Sequence, residues 1–217
     1  MAENFSTHLL TSALVVGNPT MPKVSFSGEP AQQLEPLPDS EKEAKNIADL
    51  FKIKALIGKD ATESAVISQM SKARIIHLAT HGFLDELGEV GIPGVVALAP
   101  AGKDDGLLSA NEVINLKLNA DLVVLSACDT GRGKITGDGV IGLSRAFMTA
   151  GVPSVIVSLW RVRDDLAAAL MPEFYRQWQN HPKQSKAWAL RQAMLKTMKD
   201  YPNPGDWAAF LLVGEVK

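Results

Sequence analysis

The chain has 217 residues, 46% of them hydrophobic, which suffices for one sizeable core and suits a single large α/β domain spanning 1–217. Its 22 basic and 24 acidic residues leave a net charge of −2 with no basic run, so neither nucleic acid nor an anionic membrane is an expected partner. No segment reaches the roughly 20 apolar residues of a membrane span, Met1 to Leu10 lacks the pattern of a secretory leader, and one cysteine cannot form an internal disulfide, so a reducing cytoplasm is the expected location.

Ser12 to Val16, closed by Gly17-Asn18-Pro19, predicts a first strand, and the proline-rich stretch to Pro38 predicts a loop open to proteolysis from Met21 onward. Ser40 with Glu43 three residues later predicts a capping box, followed by Ala44, Ile47, Ala48 and Phe51 at helical spacing. Ile53 to Ile57 predicts a second strand. Gly58 to Thr62 turns into a helix carrying Ala65, Val66, Met70 and Ala73, which leads to the apolar, β-branched run RIIHLATHG, Arg74 to Gly82. Val95 to Leu98 is strand-like, Gly102 to Gly106 is a turn, and Ser109 with Glu112 forms a second capping box.

The stretch DLVVLSACDTG, Asp121 to Gly131, holds four consecutive apolar residues, Leu122 to Leu125. They predict a short strand buried on both faces, because a half-exposed strand would alternate. A glycine-rich loop from Thr130 to Gly139 leads to a helix over Val140 to Ala150, ended by Gly151. Ser154 to Leu159 is a further buried strand. A helix capped by Asp164 presents Leu166, Leu170, Phe174 and Trp178 on one side, another runs from Ser185 to Lys199, and Trp207 to Val213 closes the sheet.

Two predicted strands thus end in reactive side chains, His81 and Cys128, at the carboxyl edge where open parallel sheets gather their ligands. A lone cysteine is more often a small buried hydrophobe, but a second strand tip of the same shape changes that balance. A histidine beside a thiol can take its proton and leave the nucleophilic thiolate, and an adjacent glycine leaves backbone N–H groups open to a substrate oxygen.

Other motifs fail on spacing. In GRGK, Gly131 to Lys134, a P-loop would need glycine where Cys128 stands and a hydroxyl residue where Ile135 stands. His77 and His81 lie four apart in a strand context with no third ligand nearby in sequence, so His77 reads as a packed strand histidine. Ser144 lies inside a predicted helix and reads as structural. Trp160 to Asp165, WRVRDD, could line a cleft or form a solvated charge pair at a helix start.

The motifs ATHG, LSACDTG, GDGVIGLSRAFMTAGVPSVIVSLW and DWAAFLLVGE resemble the CHAT domain family, caspase-like domains that often accompany tetratricopeptide repeats. A small departure is Pro204-Gly205-Asp206 before the WAAF strand, where the family usually has a proline and aromatic residues. The resemblance implies a three-layer α/β/α sandwich with a mostly parallel sheet of about six strands, order 2-1-3-4-5-6, the last antiparallel. It carries the family's histidine and cysteine onto His81 and Cys128.

The expected function is that of a cysteine endopeptidase: Cys128 attacks a peptide carbonyl, His81 manages the protons, and the backbone N–H groups of Gly82 and Cys128 hold the oxyanion. No metal or organic cofactor is expected. The expected partners are a protein or peptide substrate and a regulatory repeat domain or activating protein, the chain being one piece of a longer, repeat-containing protein. The rival function is a non-catalytic interaction module on the same fold. Relatives that cut after arginine or lysine commonly carry aspartate two residues before the cysteine. Ser126 stands there, so no strong basic preference is expected unless Asp85, or Asp104 and Asp105, reach the site.

Overall fold

The computed structural model describes residues 12–25, 30–83, 94–126, 137–160 and 162–216, with 137–141 described by their backbone. Strand β1 (Ala13–Pro19) is followed by a small hairpin, β2 (Lys23–Val24) and β3 (Gln32–Gln33), and by helix α1 (Pro38–Phe51). Next come β4 (Leu56–Gly58), α2 (Glu63–Met70), β5 (Ile75–Ala79), β6 (Gly82–Phe83), β7 (Val95–Ala97), β8 (Leu107–Ser109) and the short α3 (Ala110–Val113). The second half holds β9 (Leu122–Leu125), α4 (Gly137–Thr149), β10 (Ser154–Ser158), α5 (Asp164–Asn180), α6 (Lys186–Asp200), α7 (Pro204–Trp207) and β11 (Phe210–Gly214).

Six of these strands form one sheet in the order β4-β1-β5-β9-β10-β11, all neighbours parallel except β10 and β11. Numbered along the chain, that is 2-1-3-4-5-6 with the last strand antiparallel, the order the family resemblance implies. Every residue of β5, β9 and β10 is buried, because helices cover both faces, and that is why these strands read as unbroken apolar runs. Alternate side chains feed two cores. Ile76, Leu78, Val123 and Leu125 pack with Val66, Met70 and Phe147 on one face; Ile75, Leu122, Val124 and Ile156 pack with Phe51, Leu170, Phe174 and Tyr175 on the other.

Two glycines show how tightly the layers meet. A Cβ on Gly17 would lie 2.3 Å from the Ala44 Cβ and 2.6 Å from the Ser40 carbonyl, so α1 rests directly on β1. Gly151 has φ +110°, with the Leu118 carbonyl 2.7 Å from any added Cβ, and it turns the chain from α4 toward β10 as the sequence predicts.

Three local expectations are corrected. Ser40 and Glu43 do not form a capping box: α1 begins earlier, at Pro38 behind the N-cap Leu37, and has no side-chain cap. The Ser40 hydroxyl and N–H instead donate to Asp164, at 2.6 and 3.3 Å, while Glu43 reaches across to His77. Asp164 is the first residue of α5 and not its cap, and its carboxylate satisfies an orphan donor at the start of the other helix. Among the described residues after Met21 the chain is not a plain loop either. It forms β2 and β3 and buries Met21, Val24 and Leu34 against Phe83 and Ala97 in a third small core. The Ser109–Glu112 capping box, by contrast, is present in full.

Candidate active site

Strands β5 and β9 lie side by side in parallel, with Leu78 opposite Leu125. His81 and Cys128 each follow three residues later, so both chains leave the same sheet edge from neighbouring strands about 5 Å apart. Cys128, its N–H, Asp85 and most of the glycine-rich loop lie outside the described residues.

His81 is pinned at both its backbone and its ring. Thr80 Oγ1 donates to the Ala97 carbonyl at 2.8 Å, and the Ala97 N–H donates to the His81 carbonyl at 2.9 Å. His81 is 7% exposed, and its ring faces Phe83 with centroids 6.4 Å apart. Its Nε2 lies 2.7 Å from the backbone carbonyl of Glu35, contributed by the segment that follows the β2–β3 hairpin. A carbonyl can only accept, so Nε2 carries the hydrogen, and in the neutral ring Nδ1 is then the acceptor. An imidazole held this way can take a proton through Nδ1 while Nε2 stays fixed.

Gly82 pairs with Val96 across the antiparallel β6–β7 ladder. Because the bond from Ala97 goes to the His81 carbonyl, Gly82 and Val96 form the non-hydrogen-bonded type of pair, and the Gly82 N–H points away from β7. Ser126 is 4% exposed, and among the described residues its hydroxyl finds no hydrogen-bond partner. Asp104 and Asp105 are engaged elsewhere: Asp104 accepts from the Ser64 N–H at 3.4 Å and Asp105 from the Leu107 N–H at 2.9 Å. Beside them the Glu63 carboxyl is pushed up to about 7, by burial first and then by Glu112, Asp104 and Asp105.

His77 is fully buried between Glu43 Oε1 at 2.9 Å and the Tyr175 hydroxyl at 3.2 Å, the packed histidine its strand context implies. In WRVRDD the charge pair is the observed form, Arg163 clasping Asp165 through two bonds of 3.0 and 2.6 Å, while the Trp160 indole N–H donates to the Gly205 carbonyl. Ser144 is buried within α4. Among the described residues no cluster of three or more His, Cys, Asp or Glu is placed to hold a metal, and no helix is long and apolar enough to cross a membrane. Sequence reasoning missed the Glu35 carbonyl, since a backbone acceptor carries no side-chain signature. The turn at Asn18 was the available signal.

The fold so assembled is a caspase-like α/β/α sandwich. It resembles the Arg-specific cysteine proteinase gingipain R, with a TM-score of 0.60 and 12% identity over 97% of this chain and 48% of that one. It also resembles the Saccharomyces cerevisiae separase in its securin complex, with a TM-score of 0.58 and 13% identity over 94% and 12%. The chain belongs to the CHAT domain family, whose model matches residues 3–215. Its curated relatives include tetratricopeptide repeat protein 28 of Homo sapiens, 29% identical over 93% of this chain, and of Mus musculus, 28% identical over 94%. The chain spans 9% and 10% of the lengths of those two proteins.

Proposed function

We propose that this domain is a cysteine endopeptidase working through Cys128 and His81. The observation that carries the reading is the 2.7 Å contact between His81 Nε2 and the Glu35 carbonyl, at the tip of the strand beside the one that leads to Cys128. It assigns the ring the tautomer that a general base needs toward a thiol.

In the reaction, His81 Nδ1 takes the Cys128 proton and the thiolate sulfur attacks the peptide carbonyl carbon. The oxyanion is held by the N–H groups of Gly82 and Cys128, the first supported by its orientation away from β7. The imidazolium then protonates the leaving amine, and a water deprotonated by His81 hydrolyses the thioester. The steps use side chains, backbone and that one water, so the reading calls for no cofactor. A strong requirement for arginine or lysine is not expected unless Asp85, which lies outside the described residues, reaches the site: Ser126 offers no charge, and Asp104 and Asp105 are bound within their own neighbourhood.

The repeat-containing relatives support a longer protein in which residues 1–217 form one CHAT domain, regulated by attached repeats or a partner and acting on proteins in the cytoplasm. The test is cleavage of a partner protein by the activated full-length chain. Cys128→Ala should abolish it, His81→Ala should cost nearly as much, and the double variant should be hardly worse than either, because residues sharing one step are non-additive. Unchanged cleavage by Cys128→Ala would replace the peptidase with an interaction module.

A further inference from the structure

Resting on the reading of His81 as the general base, we infer that Asn18 is the positioning residue that aims the Glu35 carbonyl at the His81 ring. Asn18 stands at the end of β1 with φ 42°, a left-handed conformation that asparagine tolerates better than most residues. Its Oδ1 accepts from the Leu37 N–H at 2.8 Å, and its Nδ2 donates to Glu41 Oε2 at 3.2 Å. One carboxamide therefore ties together the edge of the main sheet, the chain entering α1 and the first turn of that helix. Its anchor is firm: Gly17 is seated against α1, and the Thr20 N–H bonds the Gly58 carbonyl at 3.0 Å.

The link from Leu37 back to Glu35 is short and stiff. Between the Glu35 carbonyl and the Leu37 N–H lies only Pro36, whose ring locks φ and leaves ψ as the one soft dihedral. Proline also restricts the residue before it to extended backbone, so Glu35 has little freedom of its own. Holding the Leu37 N–H therefore sets the direction of the Glu35 carbonyl. That carbonyl decides which ring nitrogen of His81 carries the hydrogen, and so which one can face a thiol.

Three variants separate this role from simple folding support. Asn18→Gly keeps the left-handed backbone without strain and removes the carboxamide. Asn18→Asp, made together with Glu41→Gln so that two carboxylates do not meet at 3.2 Å, keeps the acceptor for Leu37, and Asn18→Ser stands in if the glycine variant does not fold. The first readout is the tautomer of His81, from long-range proton–nitrogen correlation spectra of the full chain in a Cys128→Ala background, where no thiol competes. The unaltered Asn18 chain should show hydrogen on Nε2, Asn18→Gly a mixture of both tautomers, and Asn18→Asp the original state.

The second readout is alkylation of Cys128, the only cysteine, against pH. Asn18→Gly should lower the near-neutral rate roughly tenfold, the scale one hydrogen bond supports, and Asn18→Asp should restore most of it. An unchanged tautomer in Asn18→Gly (or in Asn18→Ser, if that replaces it), or no rescue by Asn18→Asp, overturns the inference. A failed dyad looks different: alkylation would be insensitive to His81→Ala, while the tautomer spectra would still respond to Asn18.

Discussion

Strand β5 and its tip carry two histidines four residues apart, and the chain treats them in opposite ways. His77 lies inside the sheet, 0% exposed, with one ring nitrogen on Glu43 and the other on Tyr175. His81 lies just past the sheet edge, with its Nε2 on a backbone carbonyl from another segment. A ring clasped by side chains at both nitrogens is fixed in the core, where it serves packing and satisfies Glu43 Oε1 and the Tyr175 hydroxyl. The His81 ring, at the carboxyl edge, has its tautomer set by the Glu35 carbonyl at Nε2. Both histidines are buried, and what separates them is the kind of group that holds them: side chains from α1 and α5 for His77, a backbone carbonyl at Nε2 for His81.

The sharpest way to break this comparison is to delete each ring in turn. His81→Ala should lower cleavage by the activated protein by at least about a hundredfold while costing only about 1 kcal/mol of stability, for the bond lost to the Glu35 carbonyl. His77→Ala should do the reverse: it strands the buried Glu43 carboxyl and opens a cavity in the α1/α5 core, costing about 3 kcal/mol of stability, while the folded fraction stays active. Activity at different temperatures together with denaturant titration separates the two outcomes. Equal effects on both measurements would erase the distinction between the histidines.

Glu63 affects any pH test of that distinction, because its carboxyl titrates near neutrality. Its folded pKa of about 7 lies above the ordinary 4.5, so its contribution to stability is fully present below about pH 4.5 and is lost as pH rises through about 7. Glu63→Gln, neutral throughout, should match the parent below pH 4.5 and exceed it above pH 7 by about 3 kcal/mol at most. Melting temperatures across that range check this, and pH–rate profiles for His81 are cleaner in the Glu63→Gln background. The smallest expected effect sharpens the core side. Tyr175→Phe removes one hydrogen bond from His77 and should cost about 1 kcal/mol in chemical denaturation, with no change in cleavage.

The main-sheet strands and their order along the chain were legible in outline, because an unbroken apolar run four or five residues long between turn signals has few other stable forms. The runs expected at Ile53 to Ile57 and Trp207 to Val213 begin three residues before the observed β4 and β11. Thr62, Ser109 and Ser185 were equally legible as helix starts, since each cap acts within three residues of itself. Ser40 and Glu43 show where that logic stops. Their spacing fits a capping box, but Asp164 lies 124 residues from Ser40 and His77 lies 34 from Glu43, and those distant partners took both side chains. The chain after Met21 was misread for a related reason: Met21, Val24 and Leu34 follow no period, and they gain a core only when Phe83 and Ala97 are brought beneath them. The sequence by itself therefore determined the fold class and the pair of residues to watch. Only the tertiary structure decided what holds each ring, because the contacts are a buried carboxylate and a phenol for His77 and a backbone carbonyl for His81, all contributed from elsewhere in the chain.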